Sequence, residues 1–136
     1  MRKSILLIDD DASIRSTFKK LMKKYRYSIQ SPSGNADALQ IIERYKPQII
    51  IVEVSIPSST RLKLISSIKE RYPEIPILVT TVFSNIFTSQ ELLEKYGSDD
   101  QLSKPFKITD VLIKMENLLD RQNRKNKMES NRCQMP

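Results

Sequence analysis

The feature that most constrains the fold of this sequence is a regular alternation between short aliphatic runs and stretches with helical spacing. Residues 4–8, 49–52 and 77–80 are aliphatic runs bounded by polar residues or proline, which suits strands buried on both faces of a sheet. Residues 27–30 and 101–103 are candidates for two further strands. Because strands that alternate with helices indicate parallel pairing with right-handed crossovers, the sequence predicts an α/β domain of (βα)5 type.

The first three predicted helices have recognisable apolar faces and ends. In the first helix, apolar residues recur at spacings of three and four: Ile14, Phe18, Leu21, Met22 and Tyr25. Asp11 is a suitable N-cap for this helix, and Asn35 for the second. The third helix is expected to end near residues 72–73, where a proline follows a tyrosine.

Two more helices are predicted in the second half of the chain. Thr88 and Glu91 have the spacing of a capping box, and Gly97 suits the end of the helix that follows. The last helix is predicted over residues 110–120, and its spacing can continue into the basic residues beyond.

Length and charge indicate one domain with a basic tail. A chain of 136 residues suits a single hydrophobic core, so we expect residues 1–121 to form the domain. Residues 122–136 are expected to be either flexible or an extension of the last helix. The net charge is +7 and much of it belongs to this end of the chain, but no recognised nucleic-acid-binding module fits in so few residues. Nucleic acid is therefore not the expected partner.

Composition excludes several classes of function. The chain has two glycines, one cysteine (Cys133) and no histidine. A glycine-rich phosphate loop, an intrachain disulfide and His-based catalysis or metal binding are excluded, and no nucleophile constellation of an enzyme is evident. No apolar run is long enough for a signal peptide core or a membrane span, so we expect a cytoplasmic location.

Polar side chains are predicted to meet at one edge of the sheet. In open parallel α/β sheets, ligands bind outside the carboxyl ends of the strands. The side chains placed there are mainly acidic, with two hydroxyl groups and one lysine: Asp9, Asp10, Asp11, Glu53, Thr80, Thr81 and Lys104. Oxygen ligands without His or Cys suit Mg²⁺, and the lysine and a hydroxyl would suit a phosphoryl group. Alternatively, the aspartates only cap the first helix and Lys104 only pairs with a carboxylate.

Three segments resemble the signature segments of response regulator receiver domains. They are residues 5–11, 76–81 and 97–106, in the same order and at similar separations, and the resemblance covers residues 4 to about 121. It implies a flavodoxin-like doubly wound sheet with the strand order 2-1-3-4-5. It also implies a role in two-component phosphorelay signalling, with a sensor histidine kinase or a downstream signalling protein as partner. A homodimer through the fourth and fifth helices is a further expectation.

The resemblance assigns roles to individual residues. Asp9 and Asp10 match the metal-binding acidic pair, with Asp10 the more direct ligand, and Thr81 matches the switch hydroxyl. Lys104 matches the lysine that contacts the phosphoryl group, and the bond before Pro105 matches one that is usually cis.

The main departure from the family is at the phosphoacceptor position, where Glu53 replaces the expected aspartate. The resemblance also makes Glu53 and Ser55 metal ligands, but the longer side chain would make Mg²⁺ binding weak. Gln101 replaces the switch aromatic, and residues 58–61 replace the usual glycines and acidic residue. Val82 replaces a small residue and is expected to narrow access to the site.

These departures favour a signalling module that acts through protein–protein interaction and does not depend on phosphorylation. A conventional Mg²⁺-dependent phosphoacceptor with weak or displaced phosphorylation is the alternative. Binding of nucleic acid through the basic tail is a further alternative.

Overall fold

The sheet of the computed structural model has five parallel strands in the order β2-β1-β3-β4-β5. The structure describes residues 3–32, 38–54, 59–82 and 95–134. The strands are β1 (Lys3–Ile8), β2 (Tyr27–Gln30), β3 (Ile49–Glu53), β4 (Ile77–Thr81) and β5 (Asp100–Ser103). Both the predicted fold class and the predicted strand order are confirmed.

Helices follow the strands as the alternation predicts. They are α1 (Ala12–Lys24), α2 (Ala38–Tyr45), α3 (Ser59–Arg71) and a C-terminal helix (Ile108–Gln134). Asp11 is the N-cap of α1, and its side chain accepts hydrogen bonds from the Ser13 and Ile14 amides.

Three sequence predictions concern the ends of the second and fourth predicted helices. The Asn35 cap and the Thr88–Glu91 capping box lie outside the described residues. Gly97 is described and has a positive φ of 88°, a conformation that suits a helix stop because glycine has no Cβ.

The core has one layer on each side of the sheet. On one side, alternate residues of the central strands, among them Leu6 and Val52, pack with the apolar residues of α2 and α3. On the other side, the intervening residues, among them Leu7 and Ile51, pack with α1 and the C-terminal helix. Because both faces are covered, β1, β3 and β4 are almost continuously aliphatic, which is the pattern that identified them in the sequence.

The C-terminal helix is longer than the sequence predicted. It begins at Ile108 and ends at Gln134, so the basic residues beyond 121 extend the helix, which is one of the two predicted alternatives. Among the side chains of this helix that the structure describes, the buried ones lie in the first half: Val111, Leu112, Met115, Leu118 and Leu119. Residues 123–128 are exposed, so this part of the helix lies outside the core. No helix in the described ranges is both long enough and apolar enough to cross a membrane.

We predict that the two halves of this helix contribute unequally to stability. Met115→Ala should lower the free energy of unfolding by about 2–4 kcal/mol, because Met115 is fully buried against the sheet. Met128→Ala, in the exposed half of the same helix, should change it by less than about 0.5 kcal/mol. Urea unfolding of both variants measures the difference, and equal losses would mean that the extension is packed against something.

Candidate functional site

The candidate site lies at the carboxyl edge of the sheet, where β1 and β3 end side by side. Ile8 is paired with Val52 in the parallel register, so Asp9 and Glu53 follow at the same level. Glu53 is in turn paired with Thr80 of β4. The sheet therefore brings together carboxylates that are far apart in sequence, as the sequence analysis predicts from topology.

Lys104 forms ion pairs with two of these carboxylates. Its Nζ lies 2.9 Å from Asp9 Oδ2 and 3.4 Å from Glu53 Oε2. The Asp9 side chain is 1% exposed and the Lys104 side chain 11%, so the first pair is shielded from water. The Lys104 amide donates to the Thr81 carbonyl at 2.7 Å, which ties the loop after β5 to the end of β4. The Lys104–Pro105 peptide bond is cis.

Asp9 and Glu53 also interact directly, and this interaction separates their pKa values. Burial raises the pKa of Glu53 to about 7, and the hydrogen bond and negative charge of Asp9 act in the same direction, whereas Lys104 opposes them. Burial also acts to raise the pKa of Asp9, but hydrogen bonds from Glu53, the Asp11 amide and Lys104 outweigh it and lower that pKa. Of the two carboxyl groups, Glu53 is therefore the one that is protonated more readily.

A buried arginine completes the site, and the sequence analysis did not give it a role. Arg61, in the first turn of α3, donates from Nη1 to the Glu53 carbonyl at 3.0 Å and to the Ile8 carbonyl at 3.3 Å. Its Nη2 donates to Asp10 Oδ1. Sequence reasoning treated Arg61 only as a departure from the family pattern. The signal that could have identified it is a cation at the start of a helix that faces an acidic edge.

The other predicted site residues are Thr81, Gln101, Val82 and Ser55, and the structure describes the first three. Thr81 is buried at the end of β4. Gln101 lies in β5, and its Oε1 is buried without a hydrogen-bond partner in the described part of the chain. Val82, expected to narrow the site, is exposed over about half of its surface. Ser55 lies outside the described residues.

The described residues leave few free ligands for a divalent metal. Asp9 Oδ1 accepts from the Asp11 amide and Asp9 Oδ2 accepts from Lys104, so both oxygens are engaged. Asp10 Oδ1 accepts from Arg61. In the described ranges, no group of three acidic, histidine or cysteine side chains is arranged to hold a metal ion. The sequence also allowed a purely structural role for these residues, and both interactions of that role are present: Asp11 caps α1, and Lys104 pairs with a carboxylate.

A doubly wound sheet with acidic residues after β1 and a lysine after β5 defines a signal receiver fold. The family model described as the response regulator receiver domain matches residues 5–116, and the chain belongs to this family. Response regulator receiver domains function in two-component signalling, where they interact with sensor histidine kinases and downstream effectors. They are typically non-enzymatic and generally bind Mg²⁺ at the phosphorylation site.

Curated relatives support the same assignment. The chain is 28% identical over 117 residues to the response regulator MprA of Mycobacterium sp. (strain KMS), covering 86% of this chain and 50% of that protein. It is 27% identical to the MprA of Mycobacterium leprae (strain TN), covering 86% and 51%. The chain thus spans about half the length of these relatives.

Two solved structures share the fold. One is NtrX from Brucella abortus in complex with ADP, with 23% identity and a TM-score of 0.85 over 97% of this chain and 29% of that one. The other is a response regulator receiver domain protein from Methanospirillum hungatei JF-1, with 21% identity and a TM-score of 0.82 over 92% of this chain and 99% of that one.

We predict that the raised pKa of Glu53 gives the protein a pH-dependent stability. Between about pH 4.5 and 7 the folded protein holds a proton on Glu53 that the unfolded chain releases, so the free energy of unfolding should fall as the pH rises. The slope is at most about 1.4 kcal/mol per pH unit. Glu53→Gln should remove this component, because glutamine does not titrate.

Urea unfolding at pH 5, 6, 7 and 8 measures this effect. Glu74→Gln is the matched control, because Glu74 is an exposed carboxyl in the loop after α3. The prediction is wrong if Glu53→Gln and wild type lose stability equally between pH 5 and 7.

Proposed function

We propose that this receiver domain signals through protein–protein contacts in a way that does not depend on phosphorylation. The observation that supports this most directly is the contact between Glu53 and Lys104, in which Lys104 Nζ lies 3.4 Å from Glu53 Oε2. Glu53 stands at the position of the phosphoacceptor. Its carboxyl group therefore supplies, within the protein, an acidic partner for the lysine that would otherwise contact a phosphoryl group.

Reach is the first reason why Glu53 should accept phosphate poorly. Glutamate extends the carboxyl group by one bond, about 1.5 Å, relative to aspartate. Phosphoryl transfer depends on placing the attacking oxygen in line with the leaving group, and small displacements reduce its rate steeply. The contact with Lys104 also holds the Glu53 carboxyl group toward the site interior.

Protonation is the second reason. The pKa of Glu53 is about 7, so a large part of the population is protonated at neutral pH. A protonated carboxyl group is a poor nucleophile, because its oxygen lone pairs are less available for attack. Reach and protonation act in the same direction.

The other site residues have supporting roles in this proposal. Asp9 and Lys104 hold Glu53, and Asp10 is the acidic residue at the mouth of the site. Thr81 and Gln101 are the positions through which the site would communicate with a partner surface. Ser55 is kept as a candidate metal ligand, and any binding of Mg²⁺ should be weak.

For partners, we propose a sensor histidine kinase or a downstream signalling protein, with a homodimer through the predicted fourth helix and the C-terminal helix as a further arrangement. The receiver unit would comprise residues 1–121, with residues 122–136 as an appended helical segment. A cytoplasmic location fits this role.

The alternative is a conventional phosphoacceptor of low efficiency, and one observation favours it. Thr81 and Lys104, which would stabilise a phosphoryl group, are both present at the carboxyl edge, together with Asp9 of the metal-binding pair. The basic extension of the C-terminal helix, exposed over residues 123–128, is the only feature that favours nucleic acid among those described.

We predict that wild type gains no phosphate from a small acyl phosphate donor with Mg²⁺, whereas Glu53→Asp does. Aspartate restores the reach of the nucleophile, and the retained lysine and threonine stabilise the charge that develops on the phosphoryl group. Intact-mass measurement under identical conditions detects a phosphate adduct on each protein.

The matched control is Glu74→Asp, which makes the same substitution at an exposed carboxyl away from the site. An adduct on wild type that is absent from Glu53→Gln would contradict phosphorylation independence. If neither wild type nor Glu53→Asp gains an adduct, more than the nucleophile has changed, and the domain is better described as a scaffold.

A further inference from the structure

We infer that the Arg61 guanidinium is the resident cation of the acidic site and takes up oxygens that a divalent metal would need. In the structure it contacts the ends of two strands and one carboxylate: the Ile8 carbonyl, the Glu53 carbonyl and Asp10 Oδ1. This inference deepens the proposed function and rests on it for its signalling consequence. Its geometric basis is independent of phosphorylation.

The oxygens that contact Arg61 are those a hard cation would otherwise attract. Carbonyl and carboxylate oxygens are the usual ligands of Mg²⁺. A guanidinium group can engage the same oxygens, because its five N–H donors lie in one plane and point in fixed directions. One nitrogen of Arg61 reaches the two carbonyl groups and another reaches the carboxylate.

Burial indicates that Arg61 is an integral part of the site. Its side chain is 7% exposed, whereas that of Asp10 is 72% exposed. Arginine does not lose its charge in proteins, so a buried guanidinium must be matched by hydrogen-bond acceptors and negative charge. The carboxyl edge of the sheet supplies both.

The charges of the site are balanced by the chain's own residues. Asp9 pairs with Lys104 and Asp10 pairs with Arg61, so each member of the acidic pair already has a cation. A divalent ion placed among these carboxylates would lie close to both cations and be repelled by them. An ion that took the three oxygens bound by Arg61 would have to displace this side chain and leave its buried charge without them.

The same contacts fix the position of α3. Arg61 lies in the first turn of this helix, and its guanidinium joins that turn to the ends of β1 and β3. In the proposed function, this keeps the site in a single arrangement whatever the concentration of Mg²⁺.

The test is a calorimetric titration with Mg²⁺, and separately with Mn²⁺, of wild type, Arg61→Ala and Arg71→Ala. Arg61→Ala should bind either ion at least ten times more tightly than wild type, because it removes the competing cation. Arg71→Ala loses the same charge from the same helix, but Arg71 lies over the Tyr72 ring, so it should bind like wild type. The inference is overturned if Arg61→Ala binds no more tightly than wild type, or if both arginine variants gain affinity equally.

A second measurement needs no Arg61 variant. In EDTA, Asp10→Asn should unfold at a lower urea concentration than wild type, because Arg61 loses its carboxylate partner. If the site were instead an acidic cluster that awaits a metal, removing one negative charge would relieve repulsion, and Asp10→Asn would be more stable. That result would overturn the inference.

Neither measurement includes a phosphoryl donor, so the two ideas can fail separately. An adduct on Glu53 of wild type would contradict the proposed function and leave these results unchanged. Tight Mg²⁺ binding by wild type would contradict the role of Arg61 even if no adduct forms.

Discussion

Carboxylates that meet at one edge of a parallel sheet repel one another unless cations lie among them, and this constraint governs the site. Here the sheet brings the ends of β1 and β3 together, and with them Asp9, Asp10 and Glu53. Lys104 and Arg61 are the cations, one arriving from the loop after β5 and the other from the start of α3. Ion pairs and hydrogen bonds therefore join four parts of the chain: the ends of β1 and β3, the loop after β5 and the start of α3.

Glu53 differs from the two aspartates because its negative charge is reduced by protonation as well as by a neighbouring cation. Its contact with Lys104 is longer than that of Asp9, and the neighbouring Asp9 carboxylate raises its pKa. Because the pKa of Glu53 is raised to about 7, it can relieve the excess negative charge by remaining protonated. The site thus has two ion pairs, Asp9–Lys104 and Asp10–Arg61, and one carboxyl group, that of Glu53, whose protonation changes near neutral pH.

Much of the fold could be predicted from the sequence, because the strands are buried on both faces. Continuous aliphatic runs such as residues 49–52 have few alternatives, and their ends determine which side chains reach the carboxyl edge. This is why Asp9, Glu53 and Lys104 could be placed together from topology alone. The N-cap role of Asp11 followed from its position between a strand and an amphipathic helix.

The orientation of the Arg61 side chain toward the site could not be predicted in the same way. Whether a side chain in the first turn of a helix points inward depends on how that helix packs on the sheet, and local sequence does not carry that information. The continuation of the C-terminal helix beyond residue 121 could be predicted only as one of two alternatives. Its apolar spacing stops at Leu119, but the residues beyond are mostly good helix formers that need no core to continue a helix.

The central claim is that the acidic site is satisfied by the protein's own cations, and the unfolding midpoint of wild type in Mg²⁺ and in EDTA tests it most directly. A ligand that binds only the folded state stabilises it by about 2.7 kcal/mol at one hundred times its dissociation constant. We expect the same unfolding midpoint at pH 7 in EDTA and at two Mg²⁺ concentrations that differ tenfold, all at matched ionic strength. A midpoint that rises steadily with Mg²⁺ would show that the site needs a metal and would contradict the claim.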